Sequence, residues 1–576
     1  MAVGARNEIP RANAETPVTQ SVNESTSLKS LAPWVILTVV VAAASYAPIV
    51  GNQLVNYDDG EYILRNPFLR SLSFETVRQL LSTFYMGNYH PLTMVSLALD
   101  YQLGGLNPLV YHLTNLLLHL VNTTLVSTLV LMLTRNRTVT VIAALLFGVH
   151  TLHVESVVWA SERKDVLYAA WYLAALISYV TYVDGKRSLG RYGLTLGLFG
   201  LSLLSKGQAV TLTVVLILID VLRKRTLSDL RVIGEKLPFL ALSIAFGVAA
   251  LRAQQSAEAL TMYPSSTIVH RTLVASYGYV MYLVKLIAPV GLSANYPYPQ
   301  QSLPLGYWLS LAGTGVVVAL LFLSIKRRQP FVTFGIAFYT VTVAPVLQFI
   351  PVGASVMADH YAYLPSIGFC VIVGWLFERL FVHRPGLRKP ALGVLAGYLL
   401  ALSALTAART TVWHDGLRLW NDVLAKHPES SIAYSNRAEL RFNARDLQGA
   451  IDDCNHALSI NPRYATAYFN RGGARATAGD LPSALSDFDR AVALNPRNAD
   501  AFYLRGLTFF NLGRRREAIA DLSRCIEMRP SNGAAYDLRG IAKLLGDPAG
   551  ACGDFRAATM LGNLQARQRL AMLCGK

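Results

Sequence analysis

Charged residues are scarce in this chain. Only 15% of its 576 residues are Asp, Glu, Lys or Arg, while 53% are hydrophobic. That is too apolar for one soluble domain of this size, and it points to a polytopic membrane protein. Acidic residues are the scarcer sign, with 35 against 52 Lys and Arg, a formal net charge of +17. In a soluble protein this excess would raise nucleic acid as a partner, but no nucleic-acid motif is present. Much of it lies in short basic loops between apolar runs, as the positive-inside rule produces, so membrane lipid is the expected partner. Cysteine is nearly absent. Cys370, Cys454, Cys525, Cys552 and Cys574 form no Cys-x-x-Cys pair, which removes a zinc-finger or redox-motif reading. Cys454 and Cys525 fall at helical positions and read as small core residues. No cleavable signal peptide is expected at the start. Residues 1–33 are polar and rich in Ser, Thr, Asn and Glu, and read as a disordered cytoplasmic tail.

What the chain does have is apolar runs. Eleven lie near 34–50, 112–134, 138–150, 165–183, 190–205, 209–222, 237–253, 307–325, 331–350, 363–382 and 390–408. Runs of about this length are the spanning signal. The reading is all-α: a membrane domain over 34–409 with about eleven spans, then a separate domain over 410–576. Basic clusters at Arg135 and Arg137, Lys186–Arg191, Arg223–Arg231, Lys326–Arg328 and Arg384–Lys389 then fall on one face, expected to be cytoplasmic. The opposite face receives the loop with Asp58 and Asp59, the 150–165 loop, Lys206, the 254–306 segment, the 351–362 loop and the C-terminal domain. Arg271 to Gly291 is apolar enough to span, but a twelfth span would put the last two basic clusters outside. An interfacial or re-entrant placement is therefore expected there.

The C-terminal domain carries a clean repeat. Pro428, Pro462, Pro496 and Pro530 are 34 residues apart, as are Arg437, Arg471, Arg505 and Arg539. Small residues recur at Ala450, Ala484 and Ala518, where two helices must pack closely. A 34-residue unit of two helices with a closing proline is the tetratricopeptide repeat. About four units are expected, the last shortened near Gly546-Asp547, with a leading helix over 412–428 and a capping helix over 556–573. Stacked helix pairs build an α-solenoid whose concave face binds polypeptide.

The chemistry-bearing residues sit on the outer face. Asn56-Tyr57-Asp58-Asp59-Gly60-Glu61 places three carboxylates directly after the first apolar run. Such a group suits a general base or a metal, and Asp-Asp-Gly is equally good turn chemistry. His150, His153 and Glu155 precede Glu162-Arg163-Lys164-Asp165 at span ends, where ionisable residues seldom crowd without a function. The spacing is not His-Glu-x-x-His, so no metal is assigned. An anion site is preferred, with Arg163, Lys164 and Lys206 holding a phosphate at the bilayer surface; the competing reading is interfacial snorkelling. Asp359 and His360 open a third outer motif that runs to Pro365.

Asn88-Tyr89-His90-Pro91-Leu92-Thr93, Leu106-Asn107-Pro108, Tyr111 to His119, Leu152 to Trp159, Glu162 to Leu167, Leu203 to Lys206 and Ala358 to Pro365 together resemble the TMTC family, the transmembrane and tetratricopeptide-repeat-containing proteins, and most of all its bacterial members. The resemblance covers nearly the whole chain after residue 34. That family is similar to GT-C glycosyltransferases, so it implies transfer of a sugar, a hexose such as mannose, from a polyprenyl-phosphate carrier to a protein hydroxyl on the non-cytoplasmic face. The sequence shows no required cofactor beyond that donor; a divalent metal is left open but not favoured. The partners implied are the lipid-linked sugar and acceptor polypeptides held by the repeats. The location implied is the bacterial inner membrane with the repeats in the periplasm. The catalytic candidates are Asp58, Asp59 and Glu61, with Asp59 preferred as base. The substrate-binding candidates are His90, His150, His153, Glu155, Arg163, Lys164, Asp165, Lys206, Asp359 and His360. His360 stands where Arg is common, and Thr151 where Pro is usual. The alternative class is a non-catalytic membrane-anchored scaffold. A transporter is disfavoured because the carboxylates cluster in a loop rather than mid-span.

Overall fold

In a computed structural model of the chain, the described residues are 28–256, 267–299, 303–350, 353 and 355–575. The tail expected over 1–33 lies outside them as far as residue 27. Among the described residues the structure is helical throughout, with no strand beyond two isolated bridges, Tyr85 to Asn88 and Pro297 to Ser355. The first half holds α1 (Leu28–Ser45), α2 (Phe74–Ser82), α3 (Pro91–Gly104), α4 (Pro108–Thr134), α5 (Arg137–Val149), α6 (Val154–Val158), α7 (Arg163–Asp184), α8 (Leu189–Ser205) and α9 (Leu212–Leu222). There follow α10 (Leu230–Gly234), α11 (Leu237–Ser256), α12 (Ile268–Ile287), α13 (Leu305–Lys326), α14 (Pro330–Val343), α15 (Ser366–His383) and α16 (Arg388–Val412).

All eleven apolar runs are helical, but they are not equal. Six helical stretches are long and apolar enough to cross a membrane: 108–134, 160–184, 230–256, 305–326, 366–383 and 385–412. A seventh is counted if α5 and the 151–158 stretch, bent by 49°, form one broken span. Three other runs form shorter apolar helices, Leu31–Ser45, Gly207–Leu222 and Pro330–Val346. The first run ends five residues early, at Ser45, because Pro48 cannot continue the ladder. Helix starts follow their caps: Asn107 and Asn136 side chains accept from Leu109 and Val139 N–H, and Pro108 fills the first turn of α4.

The bundle closes by small-residue contacts. α14 and α15 cross at Gly335 and Gly368, where a Cβ built on Gly368 would stand 2.3 Å from the Gly335 carbonyl. α15 meets α5 at Gly374, whose Cβ would lie 2.8 Å from the Val139 carbonyl. Helices that share no water-driven attraction in lipid gain most from such close backbone approach.

α12 has a distinctive path. Tyr277 stacks on Tyr307 at 4.1 Å, Val280 meets Gly313, and Leu283 shares a cavity wall with Val317. Contacts that ascend together make α12 and α13 parallel, so the intervening chain must return to where α12 began. At its deep end, the Leu286 carbonyl accepts from His150 Nε2 (2.9 Å) and the Ile287 carbonyl from Tyr398 OH (2.9 Å), midway along α16. Five residues later the Leu292 carbonyl accepts from Lys426 Nζ (2.7 Å), beyond the end of α16. Residues 288–292 therefore turn back from the C-terminal end of α12 toward the last turns of α16.

The C-terminal half continues with α17 (Gly416–Lys426) and four helix pairs: α18 (Ser431–Asn443) with α19 (Leu447–Ile460), α20 (Ala465–Thr477) with α21 (Leu481–Leu494), α22 (Ala499–Asn511) with α23 (Arg515–Met528), and α24 (Gly533–Lys543) with α25 (Pro548–Met560). α26 (Leu564–Cys574) closes the stack. Ala450, Ala484 and Ala518 are buried between paired helices. The periodic arginines have one job: Arg437, Arg471, Arg505 and Arg539 pair with Asp453, Asp487, Asp521 and Asp554 of the second helix. Each also lies about 5.5 Å over the aromatic three residues before it. The last pair is one residue closer in sequence, which is the shortening at Gly546-Asp547. Composition did not suggest one link: Cys552 and Cys574 form a disulfide that ties α26 to α25.

Candidate active site

The 56–61 loop is held from two sides. Trp420 Nε1 of α17 donates to Asn56 Oδ1 (2.9 Å), and Asn56 Nδ2 donates to the Asn436 carbonyl of α18 (2.9 Å). Tyr57 stacks on Trp159 at 4.5 Å and meets Trp420 edge-on at 5.1 Å. The first repeat helices therefore lie directly on the carboxylate loop. Within it the three acids diverge. Asp59 is fully buried and accepts from Val55 N–H at Oδ2 (3.0 Å) and Ser161 N–H at Oδ1 (2.9 Å). It is a clasp between two loops, and both its oxygens are in use. Burial raises its carboxyl to about 6, against those two donors. Glu61 turns outward to Arg65 (2.7 Å) with both side chains at least half exposed. Asp58 is the carboxylate left over. Burial raises it, and the Lys164 ammonium acts against that rise. Of the three acids, Asp59 is tied into the fold and Glu61 to Arg65, while the Asp58 side chain takes no such partner among the described residues.

Lys164 belongs to a buried charge cluster. Its Nζ is 2.9 Å from Glu162 Oε2, and Lys206 Nζ is 3.0 Å from Glu162 Oε1 and also binds Asp165 Oδ1. His360 Nδ1 lies 3.0 Å from Glu155 Oε1 and its Nε2 3.6 Å from Glu162. Burial pushes the His360 imidazole down to about 3; Glu162 opposes this and Lys206 and Lys164 add to it. His360 is therefore a neutral imidazole hydrogen-bonded to Glu155, not a cation. Glu162, Asp165 and His360 have ligand atoms within 4.8 Å of one another, a spacing a divalent ion accepts. The Lys206 ammonium already bridges the two carboxylates there.

A cleft of about 280 Å3 leads to the two lysines. Its inner end carries Lys164, Lys206, His90 and Tyr361; its outer walls are Gly247, Ala250 and Leu251 of α11 and Pro345 and Val346 after α14. α11 is one of the long apolar helices and is mostly uncovered by protein. The cleft thus opens sideways, beside the uncovered apolar surface of α11. His90 is 3% exposed and its Nε2 has no hydrogen-bond partner. Burial, with Lys164 next, lowers it to about 3, so it is neutral.

Other sequence candidates lie elsewhere. Arg163 is buried away from the cleft: Nη1 donates to Ser96 Oγ (2.8 Å), Nη2 to Asp100 and the Tyr111 carbonyl (2.9 Å), and Nε to Asn115. Four of its five N–H donors are thus bound within the fold, away from the cleft. His150 and His153 are spent on structure: His150 caps the turn at Leu152 N–H and binds the Leu286 carbonyl, and His153 bonds the Phe147 carbonyl (2.8 Å) and Ser366 Oγ (3.0 Å). Asp359 accepts from Tyr296 OH (2.8 Å) of the returning loop. The centre of the cluster is Glu162, which stood in the same charged run as Lys164 and Asp165 but was not singled out. Asp100, the partner of Arg163, carried no local signal.

The fold and the site can now be set beside known proteins. Tetratricopeptide repeat profiles match residues 398–465 and 471–546. The chain is 25% identical over 428 residues to "Protein O-mannosyl-transferase F38B6.6" of Caenorhabditis elegans, covering 70% of this chain and 59% of that protein. It is 38% identical over 136 residues to "Protein O-mannosyl-transferase Tmtc1" of Drosophila melanogaster, covering 24% of this chain and 16% of that protein. A crystal structure of MamA matches 26% of this chain and 89% of its own, at 24% identity and a TM-score of 0.24. The chain spans less than two thirds of either curated relative. Apolar helices that lead into tetratricopeptide repeats, with similarity to the Caenorhabditis protein over 70% of the chain, make it a relative of the TMTC proteins, the transmembrane and tetratricopeptide-repeat-containing proteins.

Proposed function

We propose that the chain is a GT-C-type membrane glycosyltransferase that moves a sugar, a hexose such as mannose, from a polyprenyl-phosphate carrier to a hydroxyl of an acceptor polypeptide. One juxtaposition carries the reading. A cleft open to the lipid side ends on Lys164 and Lys206, with the free carboxylate of Asp58 beside Lys164 and the repeats docked on the Asp58 loop. The carrier's isoprenoid tail lies along Gly247, Ala250 and Leu251. Its phosphate meets the two ammonium groups and His90, and Glu162 and Asp165 hold the lysines in place. Asp58 takes the proton of the acceptor hydroxyl as its oxygen bonds to the anomeric carbon. The bond from that carbon to the phosphate oxygen breaks on the far side, inverting the centre, and the phosphate leaves with the electron pair, stabilised by the lysines. A phosphate needs no protonation to leave, so no second acid is required.

The repeats present the acceptor. We place them and the site on the non-cytoplasmic face, in the periplasm of a bacterial inner membrane. The Cys552–Cys574 disulfide supports an oxidising compartment. The test is the purified full chain in lipid nanodiscs, given polyprenyl-phosphate [14C]mannose and envelope-protein acceptors. Label passing to Ser or Thr hydroxyls, lost in Lys164→Met and Lys206→Met, is expected. No transfer and no retention of the donor by the wild type would leave only a scaffold.

A further inference from the structure

The other end of the bundle holds a second groove. α9 and α14 both run from the cleft to that end, where they meet the C-terminal part of α13. α13 is poorly embedded: Val316, Leu320, Phe322 and Ile325 are exposed. Between the three helices lies a groove of about 680 Å3, walled by Leu218, Val221, Phe334 and Ala337 and rimmed by Lys224 and Arg328. The neighbours of Lys224 in sequence are neutralised, Arg223 by Asp184 (2.8 Å) and Arg225 by Asp220 (3.0 Å) and Glu235 (2.8 Å). Among the described residues no carboxylate pairs with Lys224 or Arg328. Each cation follows a helix C-terminus, where positive charge is favoured, and that accounts for each taken singly. It does not account for two unpaired cations at the rim of one apolar groove.

We propose that this groove is a binding site for an anionic glycerophospholipid. Its phosphate lies between Lys224 and Arg328, and an acyl chain runs along Leu218, Val221, Phe334 and Ala337. The charge of the rim selects an anionic headgroup. The apolar walls, continuous with the lipid-facing surface of α13, select a chain attached to it. The site is independent of the sugar-transfer reading, because it shares no residue with the cleft.

Native mass spectrometry of the detergent-purified full chain tests it, with phosphatidylglycerol and phosphatidylcholine as the probes. Wild type is expected to retain phosphatidylglycerol on the order of tenfold more tightly, the effect of two cations near the surface. Lys224→Ala with Arg328→Ala should bring it to the level of phosphatidylcholine. Ala337→Phe, which fills the groove and leaves the cations, should weaken both lipids. Excess inorganic phosphate should displace neither. Equal retention of the two lipids by wild type, unchanged phosphatidylglycerol binding in the double variant, or displacement by free phosphate would each overturn the site.

Discussion

Asp58→Asn is the sharpest perturbation of the proposed chemistry. The substitution keeps shape and removes only the capacity to accept a proton. Asp58 carries no fold-holding hydrogen bond comparable to those of Asp59, so the loop should survive. Loss of a positioned general base lowers turnover by about 10²- to 10⁴-fold, or about 3 to 5 kcal/mol of barrier. The pH profile identifies the group. Burial raises the Asp58 carboxyl, and the Lys164 ammonium only partly opposes this. The base works ionised, so the rate should fall as pH drops through a value above the ordinary carboxylate range of about 4. That acid limb should be absent in Asp58→Asn.

Asp59 gives a contrasting signature. Its folded carboxyl titrates at about 6 against an ordinary 3.8. Because the folded value is raised, the fold favours the protonated form. Stability is then highest below 3.8 and falls as pH rises through 6, by about 3 kcal/mol in all. Asp59→Asn should flatten that slope relative to wild type, in thermal unfolding of the full chain, while the acid limb of turnover persists. Transfer at near wild-type rate in Asp58→Asn, or an acid limb that vanishes only in Asp59→Asn, would refute the assignment.

Other perturbations separate cleft from scaffold. Lys206→Met should weaken retention of the lipid-linked donor, by titration in nanodiscs; Arg163→Ala should instead cost about 3 to 5 kcal/mol of stability by stranding buried Asp100, with little folded protein recovered. Gly368→Val should push α14 off α15 and destabilise by at least about 1 to 3 kcal/mol, seen as a lower melting temperature. Reducing Cys552–Cys574, which closes a loop with a sequence separation of 22, should lower the stability of the last repeat by about 3 kcal/mol, and alkylation with and without reductant will report it.

The repeat domain and its register were legible because the signal is periodic. A proline, an arginine and an alanine each return every 34 residues, and the folded arginines show why: each joins an aspartate of the second helix to the aromatic three residues before it. The helical character of the apolar runs was legible too. Their depth was not, since composition does not tell a full span from a short helix that ends inside the bundle. The re-entrant placement of the α12 segment was expected only from the charge balance of later loops; the contacts show that α12 packs parallel to α13. At the site, the charged run 162–165 pointed to the right place but not to the right roles. Adjacent residues on a helix start point in different directions, so Lys164 reaches the cleft while Arg163 reaches Asp100 on α3. That partner is 63 residues away in sequence, and no local pattern announces it. Asp58 and Asp59 pose the same problem in one step of chain, and only the backbone of Val55 and Ser161 distinguishes them.

The contact between repeats and carboxylate loop separates a tether from a working part. If the repeats only gather acceptors, loosening their dock should raise KM for long acceptors and leave short peptides unaffected. The geometry argues otherwise. Trp420 is fully buried, donates to Asn56 and packs against Tyr57, two residues and one residue before Asp58. Trp420→Ala removes a large core side chain, at about 3 to 5 kcal/mol, and frees both loop residues from one side. A base displaced by even about 1 Å from its working position loses about 10²-fold in rate. Turnover of a short peptide, too small to span the repeats, should therefore fall with little change in its KM. Trp420→Phe, which keeps an aromatic ring against Tyr57 and loses the N–H with part of the indole, should recover much of it. A fall confined to long acceptors would make the repeats a tether, and the site would then be positioned by the membrane helices alone.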